Sequence, residues 1–132
     1  MQRDALKNAA EKALLAAYAP YSGFRVGAAV LTASGRVYSG CNVENASYGL
    51  SLCAERNAIA NAVAAEGAAM TLRAVYITNR NAAGEAAPCS PCGACRQVIA
   101  EFAAPDVPVH YEGEAGPVTK TIGELLPESF RL

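Results

Sequence analysis

The chain has 132 residues, 52% of them hydrophobic, with 11 basic and 12 acidic side chains and a net charge of −1. Its length predicts one domain over residues 1–132 with enough material for a real core. The even charge balance, with no basic block, gives polynucleotide binding no electrostatic support, and no apolar run approaches the roughly 18 residues of a membrane span.

Met1-Gln2-Arg3-Asp4 leads into helical periodicity rather than an apolar leader, so no secretory signal is expected. Over residues 5–18, Leu6, Ala9, Ala10, Ala13, Leu14 and Ala17 recur at helical spacing, and Pro20 is expected to end that helix. Residues 24–31 predict a strand whose small side chains invite close packing by a helix. Ala33-Ser34-Gly35 predicts a hairpin turn, and residues 36–41 return as an antiparallel strand. The polar stretch Asn42 to Gly49 is a loop of the kind that carries function; its Asn45-Ala46-Ser47 triplet is read as a chance glycosylation match. A second helix is expected over 51–66, with Ser51 as N-cap and Gly67 as stop.

Residues 72–78 are nearly all apolar and predict a central strand. A loop rich in Ala, Gly and Pro reaches Pro91, a third helix covers 92–102, and a fourth strand covers 107–111. A short fifth strand over 118–121 precedes a helical turn at 122–126. This order predicts an α/β fold of three layers, α/β/α, with a central mixed sheet of five strands and helices on both faces.

Five cysteines in a chain with no secretory signal favour metal or redox chemistry in the cytoplasm over disulfides. Cys92 and Cys95 form a C-x-x-C pair at a helix start. There the positive end of the helix dipole favours thiolates. Alone, the pair fits a thioredoxin-like redox site as well as a metal site. Cys53 favours metal, because it is a third thiol at another helix start. Thiolates suit zinc, and three protein ligands leave the fourth tetrahedral position for water, the mark of a catalytic site. Glu55, two residues after Cys53, is placed to take a proton from that water. Three thiolates on Zn²⁺ sum to −1, which opposes ionisation of the water. A guanidinium on the sulfurs would relieve this, so Arg56 is expected to donate to them, with Gln97 a weaker candidate. The rival is a closed structural site in which Cys89 supplies a fourth sulfur. Against it, Cys89 lies before the helix, and a closed site leaves Glu55 no task. His110, in a strand pattern, reads as structural, and Cys41 as a small buried residue.

These residues resemble the cytidine deaminase family in its small, three-cysteine, homotetrameric form. The resemblance rests on Cys53-Ala54-Glu55-Arg56-Asn57-Ala58-Ile59 and on Ser90-Pro91-Cys92-Gly93-Ala94-Cys95-Arg96-Gln97. It extends to Phe24, Gly27-Ala28-Ala29, Asn42 to Tyr48, Leu125-Leu126-Pro127 and Phe130. It implies one Zn²⁺ per subunit on Cys53, Cys92 and Cys95, with Glu55 as proton shuttle. It also implies Asn42 and Glu44 as contacts to the ribose 3′-hydroxyl, Phe24 as an aromatic wall, and the Ala54 N–H as donor to the base carbonyl. Tyr48 and Phe130 are implied to complete pockets of neighbouring subunits in a homotetramer. The expected activity is deamination of cytidine and deoxycytidine in pyrimidine salvage. A deaminase of nucleoside antibiotics, a polynucleotide deaminase, a zinc-stapled binding module and a thiol–disulfide oxidoreductase are the alternatives. Cys89 and a somewhat long loop over 79–88 depart from the family pattern.

Overall fold

The computed structural model describes residues 2–132. Its elements run α1 (Gln2–Leu14), β1 (Arg25–Thr32), β2 (Val37–Cys41), a short 3₁₀ turn (Tyr48–Leu50), α2 (Ala54–Glu66), β3 (Leu72–Arg80), α3 (Gly93–Phe102), β4 (Pro108–Gly113), β5 (Gly116–Thr121) and α4 (Ile122–Leu125). The five strands form one sheet in the order β2-β1-β3-β4-β5. All neighbours are antiparallel except β3 and β4, which run parallel. The mixed sheet with helices on both faces is the architecture that the sequence predicts.

The central strands lack a polar face because both of their faces are covered. On one face Leu6 and Ala10 of α1 pack against Ala29, Leu31, Ala74 and Tyr76. On the other, Ala58, Ile59 and Ala62 of α2 and Ile99 of α3 pack against Ala28, Val30, Val75 and Ile77. Each large aliphatic side chain buried here contributes about 1.5–3 kcal/mol. Close approach of helix to sheet accounts for two glycines. A Cβ on Gly27 would lie 2.0 Å from the Ala10 carbonyl oxygen, and one on Gly40 would lie 2.5 Å from the Ala58 nitrogen.

The far end of α2 is tied to the β1–β2 hairpin. One carboxylate oxygen of Glu66 accepts from the hydroxyls of Thr32 at 2.8 Å, Ser34 at 2.7 Å and Tyr38 at 2.9 Å. His110 is structural, as its strand position predicts. It is buried in β4, tilted against the Tyr76 ring at 5.5 Å, with Nδ1 2.7 Å from the Thr119 hydroxyl.

Some element ends differ from expectation. Helix α1 stops at Leu14, and three tight backbone bonds from Leu15, Ala16 and Ala17 carry the chain out before Pro20 is reached. Ser51 does not cap α2. Its hydroxyl accepts from the Asn45 N–H at 3.1 Å, and Leu52 pairs with Val43 in an antiparallel bridge, so the helix starts only after Cys53. Gly67 does end α2, at φ 80°. Cys41 is half-buried rather than buried.

Candidate metal centre

Cys53 and Cys92 are the N-caps of α2 and α3, both with extended backbone, and Cys95 lies in the first turn of α3. The two helices point their N-termini at one another, so two partial positive charges face the same spot. There the three sulfurs converge. Cys53 Sγ and Cys92 Sγ are 4.0 Å apart, and all three sulfurs lie within 4.8 Å of one another. The Cys92 sulfur also accepts the Cys95 N–H at 3.4 Å, so it closes the helix end as well as facing the cluster.

The electrostatics call for a cation. With protons alone, the cluster shares them unequally. Cys53 drops to about 5, chiefly because Cys95 donates a hydrogen bond to its sulfur and secondarily through Arg56. Cys95 is pushed up, chiefly by that same bond with Cys53 and then by burial. Three adjacent thiolates repel, and a divalent ion would let all of them ionise. All three donors are soft sulfur, the set that suits zinc. Cys89 is outside the cluster, and among the described residues no fourth sulfur joins it. The closed four-cysteine site is thereby set aside.

Glu55, the second residue of α2, is 5% exposed, and burial holds its carboxyl above the usual range, assisted by the negative charge of Cys53. Arg56 reaches back over the helix start. Its Nη2 donates to the Ser51 carbonyl at 3.3 Å and lies 3.9 Å from Cys53 Sγ, while its buried Nε has no partner. Gln97 is used elsewhere. Its amide donates to the Phe130 carbonyl at 2.9 Å and accepts the Phe130 N–H at 3.3 Å, fastening the C-terminal segment to α3.

A cavity of about 390 Å³ opens beside the thiols. Its lining includes Cys53, Ala54, Glu55, Cys89, Ser90 and Cys92, together with Tyr21, Ser22, Asn42, Glu44 and Tyr48. Asn42 is held through both ends of its amide: Oδ1 accepts the Val26 N–H at 2.8 Å and Nδ2 donates to the Phe24 carbonyl at 2.9 Å. The Glu44 carboxylate accepts from the Tyr21 N–H at 3.0 Å, the Ser22 N–H at 3.2 Å and the Ser22 hydroxyl. The Ser22 hydroxyl is the main cause that holds Glu44 below the usual carboxylate range.

Two of the expected substrate contacts sit apart from this cavity. The Phe24 ring packs against the core, and Phe130 stands 68% exposed, away from the cavity of its own chain. Tyr21, Ser22 and Cys89 are cavity residues that the sequence reading did not assign to the site. For the first two the only signal was a turn at Ser22-Gly23, and a turn residue does not announce its hydrogen-bond partner.

Comparison with known proteins agrees with the geometry. The family model described as the cytidine and deoxycytidylate deaminase zinc-binding region matches residues 1–111. The cytidine deaminase of Sporosarcina psychrophila is 43% identical over 121 residues, which is 91% of this chain and 85% of that protein. That of Halalkalibacterium halodurans is 43% identical over 131 residues, 98% of this chain and 95% of the other. Among solved structures, the cytidine deaminase of Burkholderia pseudomallei aligns with a TM-score of 0.82 at 43% identity, covering 98% of this chain and 100% of that one. The Mycobacterium tuberculosis enzyme aligns with a TM-score of 0.81 at 38% identity, covering 100% and 99%.

Proposed function

This chain belongs to the cytidine deaminase family, and from that premise we propose how it deaminates cytidine and deoxycytidine hydrolytically to the uridines, with release of ammonia. Cys53, Cys92 and Cys95 hold one Zn²⁺ per chain. When bound, the ion supplies the Lewis acidity that makes a water nucleophilic near neutral pH.

Glu55 then handles the protons. Its carboxylate takes one proton from the attacking water and delivers it to ring N3 as the oxygen bonds to C4. The remaining proton on that oxygen passes through Glu55 to the amine. The C4–N bond breaks, and the carbonyl of uridine stays behind. A buried carboxyl with few competing solvent contacts suits this shuttle. Arg56 draws charge off the Cys53 sulfur.

The rest of the cavity holds the nucleoside. The Ala54 N–H is a donor at the start of α2, aimed at the base carbonyl. Asn42 and Glu44 form the sugar end, and Glu44 repels a 3′-phosphate, which favours free nucleosides over nucleic acid. Phe24 lies in the segment that Asn42 braces, and its proposed role as the aromatic wall then depends on its ring turning from the core toward the substrate. Gln97 acts through Phe130, whose position it fixes.

The same reading makes the protein a cytoplasmic homotetramer of pyrimidine salvage. Tyr48 and Phe130, 82% and 68% exposed, then complete pockets across subunit boundaries. Among the described residues, no helix is long and apolar enough to cross a membrane.

The observation that carries this function is the convergence of three sulfurs, two of them on the wall of a cavity that the buried Glu55 also lines. Ultraviolet monitoring tests it. Cytidine absorbance should shift to that of uridine with the zinc-loaded protein, stop after zinc is chelated, and return when zinc is restored. Conversion that ignores the chelator would overturn it.

A further inference from the structure

The long loop between β3 and α3 is tightly held. Asn79 has no exposed surface, and both ends of its amide bond the backbone of Ala87, Nδ2 to the carbonyl at 2.8 Å and Oδ1 to the N–H at 2.9 Å. Two residues later the Cys89 N–H donates to the Glu112 carbonyl of β4 at 2.8 Å. Pro91, fully buried, follows. The backbone is therefore fixed on both sides of Cys89, whose half-buried side chain lines the cavity together with Cys53, Glu55 and Cys92. Yet Cys89 stands outside the group of converging sulfurs. It is a thiol with a built position in the cavity and no ligand duty.

We propose that Cys89 is a specificity-determining residue: its side chain is the wall against which the pyrimidine base lies at the amine-bearing end of the cavity. The inference rests on the deaminase reading above. In that reading Glu44 and Asn42 take the sugar and Glu55, Cys53 and Cys92 surround the reacting atoms; Cys89 shares the cavity wall with these last three and lies close enough to feel their charges. Burial, helped by the negative charge of Glu55, pushes this thiol above its ordinary range. Its sulfur stands outside the three that converge, and it offers the base a small, polarizable surface. The volume at position 89 then sets how much room the ring and its substituents have.

The test uses the zinc-loaded protein in two ways. First, iodoacetamide labelling of Cys89 is followed by peptide mass, with and without saturating uridine. Nucleoside should slow the labelling of Cys89, and equal rates would overturn the proposal. Second, Cys89→Ser and Cys89→Phe are compared for zinc content and for KM and kcat on cytidine. Both should keep one zinc per chain. Cys89→Phe should raise KM by about tenfold or more, the scale on which pockets sense volume, and by a larger factor than it lowers kcat. Loss of zinc in Cys89→Ser would make Cys89 a ligand and overturn the proposal, as would an unchanged KM in both variants. Cytidine turnover by the unaltered protein tests the deaminase reading on its own, so the two failures are told apart.

Discussion

Glu55 and Arg56 are adjacent in the first turn of α2 and do opposite work at the thiols. In the proposed mechanism Glu55 moves the protons, so its loss would remove several steps at once. Glu55→Ala is expected to keep its zinc, measured by metal analysis, while turnover falls by more than the ~10²–10⁴-fold of a single acid–base role. Arg56 acts on the ligands instead. Its guanidinium spans the Ser51 carbonyl and Cys53 Sγ, a reach that a point charge does not reproduce. Arg56→Ala should weaken zinc affinity by about 10–100-fold, read by competition with a chelator, and Arg56→Lys should not restore it. These residues were legible because their chemistry is local. A thiol at a helix start, a carboxylate two residues on and a guanidinium next to it need only the helix to come together. The Ser22 bond to Glu44 was not legible, because it joins a turn to a loop that are brought together by β1 and β2.

At the scale of elements, periodicity, apolar runs and turn signals revealed every strand and α-helix but not the 3₁₀ turn at Tyr48–Leu50, while local capping chemistry misplaced some ends. Ser51 is the better N-cap by type, but a hydrogen bond from Asn45 and the Val43–Leu52 bridge hold it in the loop. The N-cap position falls instead on Cys53, whose side chain makes no capping hydrogen bond and joins the sulfur cluster. Elsewhere an element end is held by charge. Hydrogen bonds from Ser34 first, then Thr32 and Tyr38, keep Glu66 below its ordinary value near 4.5. The folded protein thus binds that proton less readily than the unfolded chain. The stability from this clamp is whole above the ordinary carboxylate range and is lost as the pH falls through the lowered folded value. Glu66→Gln should accordingly lower Tm at neutral pH and lose less on acidification than the unaltered protein, as followed by thermal melts from pH 7 to about pH 3. Parallel melting curves across that range would refute the clamp.

For the whole molecule, the cavity of a single chain is partly open to solvent, and large side chains stand exposed, among them Tyr48, Leu50 and Phe130. The proposed homotetramer, with pockets shared between subunits, would account for their exposure. Light scattering should report four chains, and Phe130→Ala should lower kcat/KM by about tenfold, the cost of one good anchor, with zinc per chain unchanged. The sheet itself has one narrow seam. Strands β3 and β4 pair in parallel through only Val75 with Val109 and Tyr76 with His110. On one side lie strands laid down by the first two-thirds of the chain, and on the other the closing β4–β5 ribbon. Cys92 and Cys95 belong to the helix that crosses between these halves, and Cys53 to the helix on the first half. An ion held by Cys53, Cys92 and Cys95 would thus also tie the two halves of the sheet together across this short parallel pairing. Stripping it should speed amide exchange at Val109 and His110 ahead of the β1–β2 amides, so that a starved enzyme loosens along that line before it loses its shape.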